Sequence, residues 1–154
     1  MTRSIGAVTG QPDLHDHAAR RLGAAAMRYT AARRSLVEIL ALAGRPMTLP
    51  EILEADDALA QSSAYRNLAE LTEAEVVRRI VTGDEHGRFE LAEDLTGAHH
   101  HHFVCTSCGT VEDIVLDDRL ERAIDDASRT LSVRQGHEVL THSLDLLGVC
   151  SSCT

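Results

Sequence analysis

All four cysteines of this chain lie in two Cys-x-x-Cys pairs, Cys105 with Cys108 and Cys150 with Cys153. This spacing lets both thiolates of a pair bind one ion, and two pairs complete a tetrahedral site with Zn–S distances of about 2.3 Å. Because no cysteine is left over, the sequence predicts one structural zinc ion. The fold must then bring two distant segments of the chain to one point.

Two disulfides or a redox-active pair are the alternatives to zinc. Residues 1–11 lack the apolar segment of a secretory signal, so we expect a cytoplasmic chain, in which metal or redox chemistry is the commoner use of such pairs. A thioredoxin-like pair is followed by a helix. Here residues 109–111 read as a strand instead, which favours a zinc-binding hairpin.

A run of four histidines, His99 to His102, precedes the first cysteine pair, with only Phe103 and Val104 between them. In a strand, alternate side chains point to the same side, so His100 and His102 share one side and His99 and His101 the other. One short strand can therefore supply ligands to two metal sites. The sequence predicts at least one metal ion besides the structural zinc.

Charge is unevenly distributed along the 154 residues. The formal net charge is −9, which argues against nucleic acid as a partner, yet residues 17–50 hold six arginines and one acid, Glu38. A basic N-terminal third can place a positive field on one face of the molecule. No apolar run is long enough for a membrane span, so we expect no membrane association.

Hydrophobic periodicity predicts helices over residues 14–27, 31–43, 49–55 and 62–74, followed by strands at 76–81 and 88–91. Thr30, Thr48 and either Ser62 or Ser63 are the expected N-caps. Three helices followed by a strand pair are typical of a winged helix, a helix-turn-helix with a β wing.

The rest of the chain predicts a second domain. Strands are expected at 102–105 and 110–115, a helix at 117–130, and another strand within 137–149. The predicted fold is α+β, with a winged-helix domain at 14–91, a hinge at 92–98 and a metal-binding domain at 99–154.

Three segments, HHHHFVCTSCGTVEDI, THSLDLLGVCSSC and SSAYRNLAELTEAEVV, resemble the ferric uptake regulator family of bacterial metal-responsive repressors, over roughly residues 25–153. The resemblance implies an N-terminal winged-helix DNA-binding domain and a C-terminal α/β dimerisation domain. It implies a homodimeric, metal-dependent DNA-binding repressor of metal-homeostasis or oxidative-stress genes, iron- or zinc-responsive, and no enzyme activity.

The resemblance also implies a role for each ligand candidate. The family's structural zinc falls on Cys105, Cys108, Cys150 and Cys153. Its regulatory site falls on Glu90, His100 and His102, and its additional site on His99, His101, Glu121 and His142. Two ligands common in the family are absent, since Pro46 occupies the place of a histidine and no fifth cysteine follows the wing. His86, in the wing turn, is the candidate replacement.

By the same resemblance, the family's basic segment and recognition helix supply the DNA contacts. A tyrosine ring packs against thymine methyl groups while arginine reaches guanine or phosphate. The residues concerned are Arg28, Tyr29, Thr30, Arg33, Ser62, Ser63, Tyr65, Arg66 and Asn67. The expected partner is a double-stranded operator, an AT-rich palindrome. Glu75 stands where a glycine normally ends the recognition helix.

The ligand types leave the sensed metal open. The structural ion is expected to be Zn²⁺, and histidine with carboxylate suits Fe²⁺ or Zn²⁺, and also Mn²⁺ or Ni²⁺, as the second metal. Iron is favoured because this site contains no thiolate. An oxidation sensor, in which a ligand histidine is oxidised at bound Fe²⁺ by an external oxidant, uses the same ligands. His15, His17 and His137 are expected at the surface.

Two other classes of function remain alternatives. A metal buffer or chaperone binds ions without DNA, which leaves the arginine-rich winged helix unexplained. A zinc-dependent hydrolase needs an open metal position and a general base, and the chain has no His-Glu-x-x-His motif.

Overall fold

The computed structural model describes residues 12–82, 86–97 and 99–154. The described chain divides into two compact units. The first contains residues 12–81 and 86–97, and the second contains residue 82 and residues 99–154.

The first unit is a winged helix. Its strands form an antiparallel sheet in the order β1-β3-β2, with Met47 opposite Phe89 and Arg78 opposite Glu90. The elements are α1 (Pro12–Ala24), α2 (Ala31–Ala43), β1 (Met47–Thr48), α3 (Leu49–Ala55), α4 (Gln61–Glu73), β2 (Val77–Ile80), β3 (Arg88–Leu91) and α5 (Glu93–Thr96).

Local chemistry explains where α2 and α3 begin and end. Thr30 caps α2 by accepting the N–H of Arg33, and Gly44 ends it with a φ of 59°, which glycine adopts without steric cost. Thr48 and Glu51 form a reciprocal capping box at the start of α3, so both predicted threonine caps are confirmed.

The core of this unit lies between the helices and one face of the sheet. Leu36 and Leu40 of α2 pack in the same buried cluster as Leu68 and Leu71 of α4, and Phe89 of β3 joins them. The spacing of four and three residues along α4 places its apolar side chains on one face. The opposite face of α4 is left for polar side chains.

The sequence-based boundaries of α4 are wrong at its start. The helix begins at Gln61 with Ala60 as N-cap and no side-chain cap, so neither Ser62 nor Ser63 caps it. Asp56 accepts the N–H groups of Ala58 and Leu59, and this tight turn brings the chain into helical geometry earlier. After α4, Glu75 takes a φ of 58°, the conformation that favours glycine.

Two short elements are absent from the sequence-based prediction. The strand β1 has only two residues, too few for a periodic pattern. The helix α5 occupies most of the segment predicted as a hinge, and Asp94 on it forms an ion pair with Arg21 of α1. Residues 92–97 therefore belong to the winged-helix unit.

The second unit is a three-stranded sheet with one long helix. Its elements are β4 (His101–Cys105), β5 (Val111–Ile114), α6 (Asp118–Gln135) and β6 (Asp145–Gly148). The order is β5-β4-β6, antiparallel between β4 and β5 and parallel between β4 and β6. A parallel pair needs a long crossover connection, and α6 lies in it.

The helix α6 has a capped start and a glycine end, but it has no buried residue. Asp117 accepts the N–H groups of Arg119 and Leu120, and Gly136 adopts a φ of 69°. Among the described residues, no helix is long and apolar enough to span a membrane.

The capping assignments can be tested by comparing Thr48→Ala with Ser62→Ala. We expect Thr48→Ala to lower the free energy of unfolding by about 1 kcal/mol, because the capping box loses its hydroxyl acceptor. Ser62→Ala should stay within about 0.5 kcal/mol of the wild type, since Ser62 caps nothing. Urea titration measures both, and equal losses would contradict the observed start of α4.

Candidate metal centres and nucleic-acid interface

The four cysteines meet at one end of the second sheet. Cys105 ends β4, and the parallel register places it beside Gly148 of β6, which is separated from the second pair by Val149 alone. The four sulfur atoms all lie within 4.8 Å of one another, with 3.7 Å between Cys108 Sγ and Cys150 Sγ. No disulfide joins these four residues. The predicted four-cysteine site is therefore present, and four sulfur ligands at this spacing fit zinc.

Hydrogen bonds already favour thiolate at part of this site. The backbone N–H groups of Cys108 and Cys150 lower the pKa of Cys105 to about 6, and Thr110 lowers the pKa of Cys108. Hydrogen bonds with Cys108 and Cys150 raise the pKa of Cys153 to about 12. Without a cation the cluster keeps a proton, and a divalent ion would replace it.

A second cluster joins the histidine run to α6. His99, His101, Glu121 and His142 offer ligand atoms that all lie within 4.8 Å of one another, as the resemblance implies. His101 Nε2 is 2.8 Å from Glu121 Oε1, and His142 Nε2 is 3.4 Å from Glu121 Oε2. His99 Nε2 lies 3.2 Å from His142 Nε2, so two ring nitrogens converge where a cation can bridge them.

Electrostatics at this cluster favour an ionised glutamate. Burial opposes ionisation of Glu121, but the hydrogen bond and charge of His101, together with His99 and His142, lower its pKa below the usual range. His101 itself is almost fully buried. A set of imidazole and carboxylate donors such as this one is suited to a borderline divalent metal.

The other side of β4 carries a third group of ligands. His100, His102 and Asp113 lie with their ligand atoms within 4.8 Å of one another. Asp113 is opposite His102 in the β4–β5 register, and its Oδ1 is 3.8 Å from His102 Nε2. Asp113 was not among the ligands predicted from the sequence. The strands on either side of the first cysteine pair form a hairpin, and the register of that hairpin places Asp113 opposite His102. This register is the feature of the sequence from which Asp113 could have been predicted.

An acidic neighbour orients the fully buried His102. Its Nδ1 lies 3.2 Å from Oδ1 of Asp145, which the parallel pairing places beside it on β6. A carboxylate accepts hydrogen bonds, so it favours the proton on Nδ1 and leaves Nε2 as the metal-binding nitrogen. Asp145 could not be predicted from the sequence, because its position beside His102 depends on this pairing.

Glu90 and His86 belong to the winged-helix unit. Glu90 is buried on β3, opposite Arg78 of β2, and its Oε1 lies 4.0 Å from Arg78 Nη1. His86 is exposed at the end of the wing. Their part in the regulatory site stays a prediction.

The three remaining histidines lie outside the ligand clusters found among the described residues. His15 is partly buried, with Nδ1 2.6 Å from the Tyr29 hydroxyl and Nε2 3.4 Å from Glu38 Oε1. His17 is also partly buried, so the expectation of a surface position is wrong for His15 and His17 and is confirmed for the exposed His137.

The residues predicted to contact DNA divide into an exposed and a shielded set. Tyr65 is 54% exposed and the Arg66 side chain is 82% exposed on the outer face of α4. Ser62, Ser63, Arg28 and Thr30 are also exposed.

The shielded residues are Tyr29, Asn67 and Arg33. Burial raises the pKa of Tyr29 to about 12. Asn67 is half-buried, and the Arg33 side chain is only 11% exposed. Arg33 therefore has little surface to offer DNA directly.

A winged helix followed by a sheet unit with three metal-ligand clusters is the architecture of a metal-responsive DNA-binding regulator. The model of the "Ferric uptake regulator family" matches residues 24–147. The chain therefore belongs to the ferric uptake regulator family, as its motifs indicated.

Individual relatives agree with this assignment. The Ferric uptake regulation protein of Campylobacter jejuni is 30% identical over 135 residues, 82% of this chain and 80% of that protein. The Peroxide operon regulator of Bacillus subtilis is 25% identical over 132 residues, 83% and 85% of the two chains. The solved structure of the Helicobacter pylori ferric uptake regulator, which has three functional metal-binding sites, matches with a TM-score of 0.71. At 18% identity over 97% of both chains, it shows the shared fold.

Family membership confirms the predicted class of function. The protein is a metal-responsive transcriptional regulator and not an enzyme, and regulators of this family bind operator DNA and dimerise. The second unit has apolar side chains for such an interface, since Leu131, Leu140, Leu146, Leu147 and Val149 are all exposed.

Removal of one cysteine should test the structural zinc site. We expect Cys105→Ser to lose about one equivalent of zinc and to impair folding or dimerisation, because structural zinc contributes directly to folding free energy. Ser152→Ala, within the second pair's turn, is the control and should keep its zinc. Elemental analysis and sedimentation measure the outcome. A zinc-replete, folded, dimeric Cys105→Ser protein would overturn the assignment.

Proposed function

We propose that this protein is a homodimeric repressor whose DNA affinity is set by a metal ion at the His100, His102 and Asp113 cluster. Glu90 completes the ligand set from the wing, with His86 as a further ligand. The observation that supports this best is the convergence of three donors on one side of β4. Metal at this site connects the sheet unit to the DNA-binding unit.

The mechanism is a shift in population. Metal stabilises the arrangement of the two units in which the paired α4 helices of a dimer match successive major-groove half-sites. This requires the metal to bind the DNA-competent arrangement more tightly, by about 1–3 kcal/mol of coupling free energy. The His99, His101, Glu121 and His142 cluster is an additional site of the same kind.

The expected regulatory metal is Fe²⁺, with Zn²⁺, Mn²⁺ and Ni²⁺ as competitors. Nitrogen and oxygen donors without sulfur suit all of these ions, so coordination geometry and availability decide among them. DNA binding titrated with each metal separately, alongside elemental analysis, would identify the ion. The repressor would act in the cytoplasm.

Peroxide sensing is a second candidate, favoured by the match to the Peroxide operon regulator. Hydrogen peroxide would react at the bound Fe²⁺. One of its oxygen atoms would be inserted into a ring C–H bond of His100 or His102, the other would leave as water, and the ring would supply the two electrons that the peroxide gains. Mass spectrometry after treatment of the iron-loaded protein with peroxide tests this. A 16-Da gain on either histidine, with loss of DNA binding, would support peroxide sensing.

The DNA-binding surface is the exposed face of α4 together with the basic segment before α2. Tyr65 and Arg66 read base edges, and Arg28 contacts the backbone, as Thr30, Ser62 and Ser63 do. The proposed operator is an AT-rich palindrome, because a two-fold dimer reads two half-sites. With a net charge of −9, binding depends on this local basic surface.

The regulatory site can be tested with His100→Ala and Glu90→Ala. Both variants should keep the fold and the dimer while losing most of the metal-stimulated gain in DNA affinity, because each removes one ligand. His137→Ala, at an exposed histidine outside the clusters, is the control. Fluorescence anisotropy with and without metal measures the effect. Wild-type metal dependence in both variants would place the sensor elsewhere.

The DNA surface can be tested with Tyr65→Ala and Arg28→Ala. Tyr65→Ala should cost about 1–3 kcal/mol and relax sequence discrimination, whereas Arg28→Ala should weaken all sequences alike and reduce the salt slope by about 1. Arg134→Ala, in the second unit, is the control. If metal-loaded protein never prefers a palindromic duplex to random DNA at any salt concentration, a metal buffer becomes the better interpretation.

A further inference from the structure

One acid lies within the proposed DNA-binding surface. Glu70 is on α4, one turn after Arg66, and its side chain is 23% exposed. Its two oxygens have different partners, since Oε2 accepts from Arg33 Nη2 and Oε1 accepts from Arg66 Nε at 3.2 Å. A single carboxylate therefore joins a shielded arginine to an exposed one.

The first partner, Arg33, is fixed in place. A guanidinium is a cationic group with five N–H donors and no acceptor, so a shielded arginine requires hydrogen-bond acceptors around it. Arg33 donates to Glu70, to Asn67 Oδ1 at 3.1 Å and to the carbonyl oxygen of Arg28. Asn67 in turn donates to the Ser63 carbonyl oxygen at 2.9 Å. Arg33 thus ties the basic segment to α4 and determines where the Glu70 carboxylate sits.

The second partner, Arg66, is held by one nitrogen only. Among the described residues, Nε is the group of Arg66 that donates a hydrogen bond, and the side chain is 82% exposed. The two terminal amino groups remain for DNA. Those groups make the bidentate contact with O6 and N7 of guanine in the major groove.

An isolated ion pair four residues apart on a helix contributes little, because ordering two long side chains costs entropy. The Glu70 carboxylate differs, since Arg33 already orders it. Tethering Arg66 to an ordered group lowers the entropy lost when Arg66 binds a base. The carboxylate also offsets one positive charge, which weakens attraction to phosphates of any sequence.

We infer that Glu70 is a positioning residue for sequence discrimination. It holds Arg66 in one orientation on the reading face of α4, and its charge limits binding to random DNA. The inference rests on the proposed DNA surface and adds to it a residue that contacts other side chains instead of DNA.

The test uses full-length, metal-loaded protein and two duplexes. One duplex is selected from a random pool by the wild type, and the other is its scrambled sequence. Glu70→Gln keeps an oxygen acceptor for Arg33 but removes the charge. We expect affinity for the scrambled duplex to rise about threefold or more, with a salt slope steeper by about 1, and the ratio of the two affinities to fall about tenfold.

Glu73→Gln is the matched control. Glu73 is exposed on the same helix and forms no ion pair within the described part of the chain, so the same change in net charge occurs without loss of the tether. Its affinity ratio should match the wild type. If Glu70→Gln and Glu73→Gln change the ratio equally, the inference is wrong and net charge alone is responsible.

A double variant shows whether Glu70 acts through Arg66. In an Arg66→Ala background, Glu70→Gln should leave the affinity ratio unchanged, because the tethered group is already absent. A further fall in the ratio would overturn the inference.

If Glu70→Gln does not fold, Glu70→Asp replaces it. It keeps the charge but shortens the reach, so the ratio should fall without any change in salt slope, and an unchanged ratio would count against the inference.

Failure of the inference can be separated from failure of the proposed DNA surface. If Tyr65→Ala and Arg66→Ala both bind the selected duplex like the wild type, α4 does not read DNA and the proposed surface is wrong. If those variants weaken binding while Glu70→Gln keeps the wild-type ratio, only the role of Glu70 is wrong.

Discussion

The alternation of side chains along β4 is the constraint on which the second unit depends. His102 points to one side of this strand, His101 points to the other, and Cys105 ends it. Each of the three ligand clusters therefore takes at least one donor from a strand of five residues. Because the period of a strand is two, a shift of one residue would exchange the two histidine clusters and displace the cysteine.

The neighbours of β4 complete these clusters. Pairing with β5 brings Asp113 to His102, and parallel pairing with β6 brings Asp145 to His102 and Gly148 to Cys105. A side chain at Gly148 would lie 2.9 Å from the Phe103 ring, so glycine allows this close approach. The ligands of the metal sites therefore lie on paired strands of the sheet. A bound ion would stabilise the pairing of these strands, so metal binding is coupled to folding of this unit.

The winged-helix unit has a different constraint. Its arginine side chains must be placed in a chain that carries more acidic than basic residues. Arg33 is shielded and paired with Glu70, whereas Arg66 shares the same carboxylate but stays exposed. Arg21 and Arg78 are likewise paired with acids, Asp94 and Glu93. The local basic field is thus carried by few exposed side chains, and their orientation matters more than their number.

The sequence predicted most of what depends on neighbours along the chain. The Thr30 and Thr48 caps and the apolar face of α4 follow from residue type and spacing. The left-handed conformation of Glu75 does not, because glutamate is not the residue type that favours it. The start of α4 at Gln61 was not predicted, because the turn at Asp56 outweighs the preference of serine for the N-cap position. The helix α5 was missed because four residues give no clear periodicity.

By itself, the sequence determined the four-cysteine site, the two-sided use of the histidine run and the membership of the family, because ligand spacing and strand period are local properties. Tertiary structure decided the rest of each cluster. Asp113, Asp145 and Glu70 gain their roles from the residue placed beside them by strand register or by helix packing. Such pairings join positions far apart in the chain, and their register is set by the packing of whole elements.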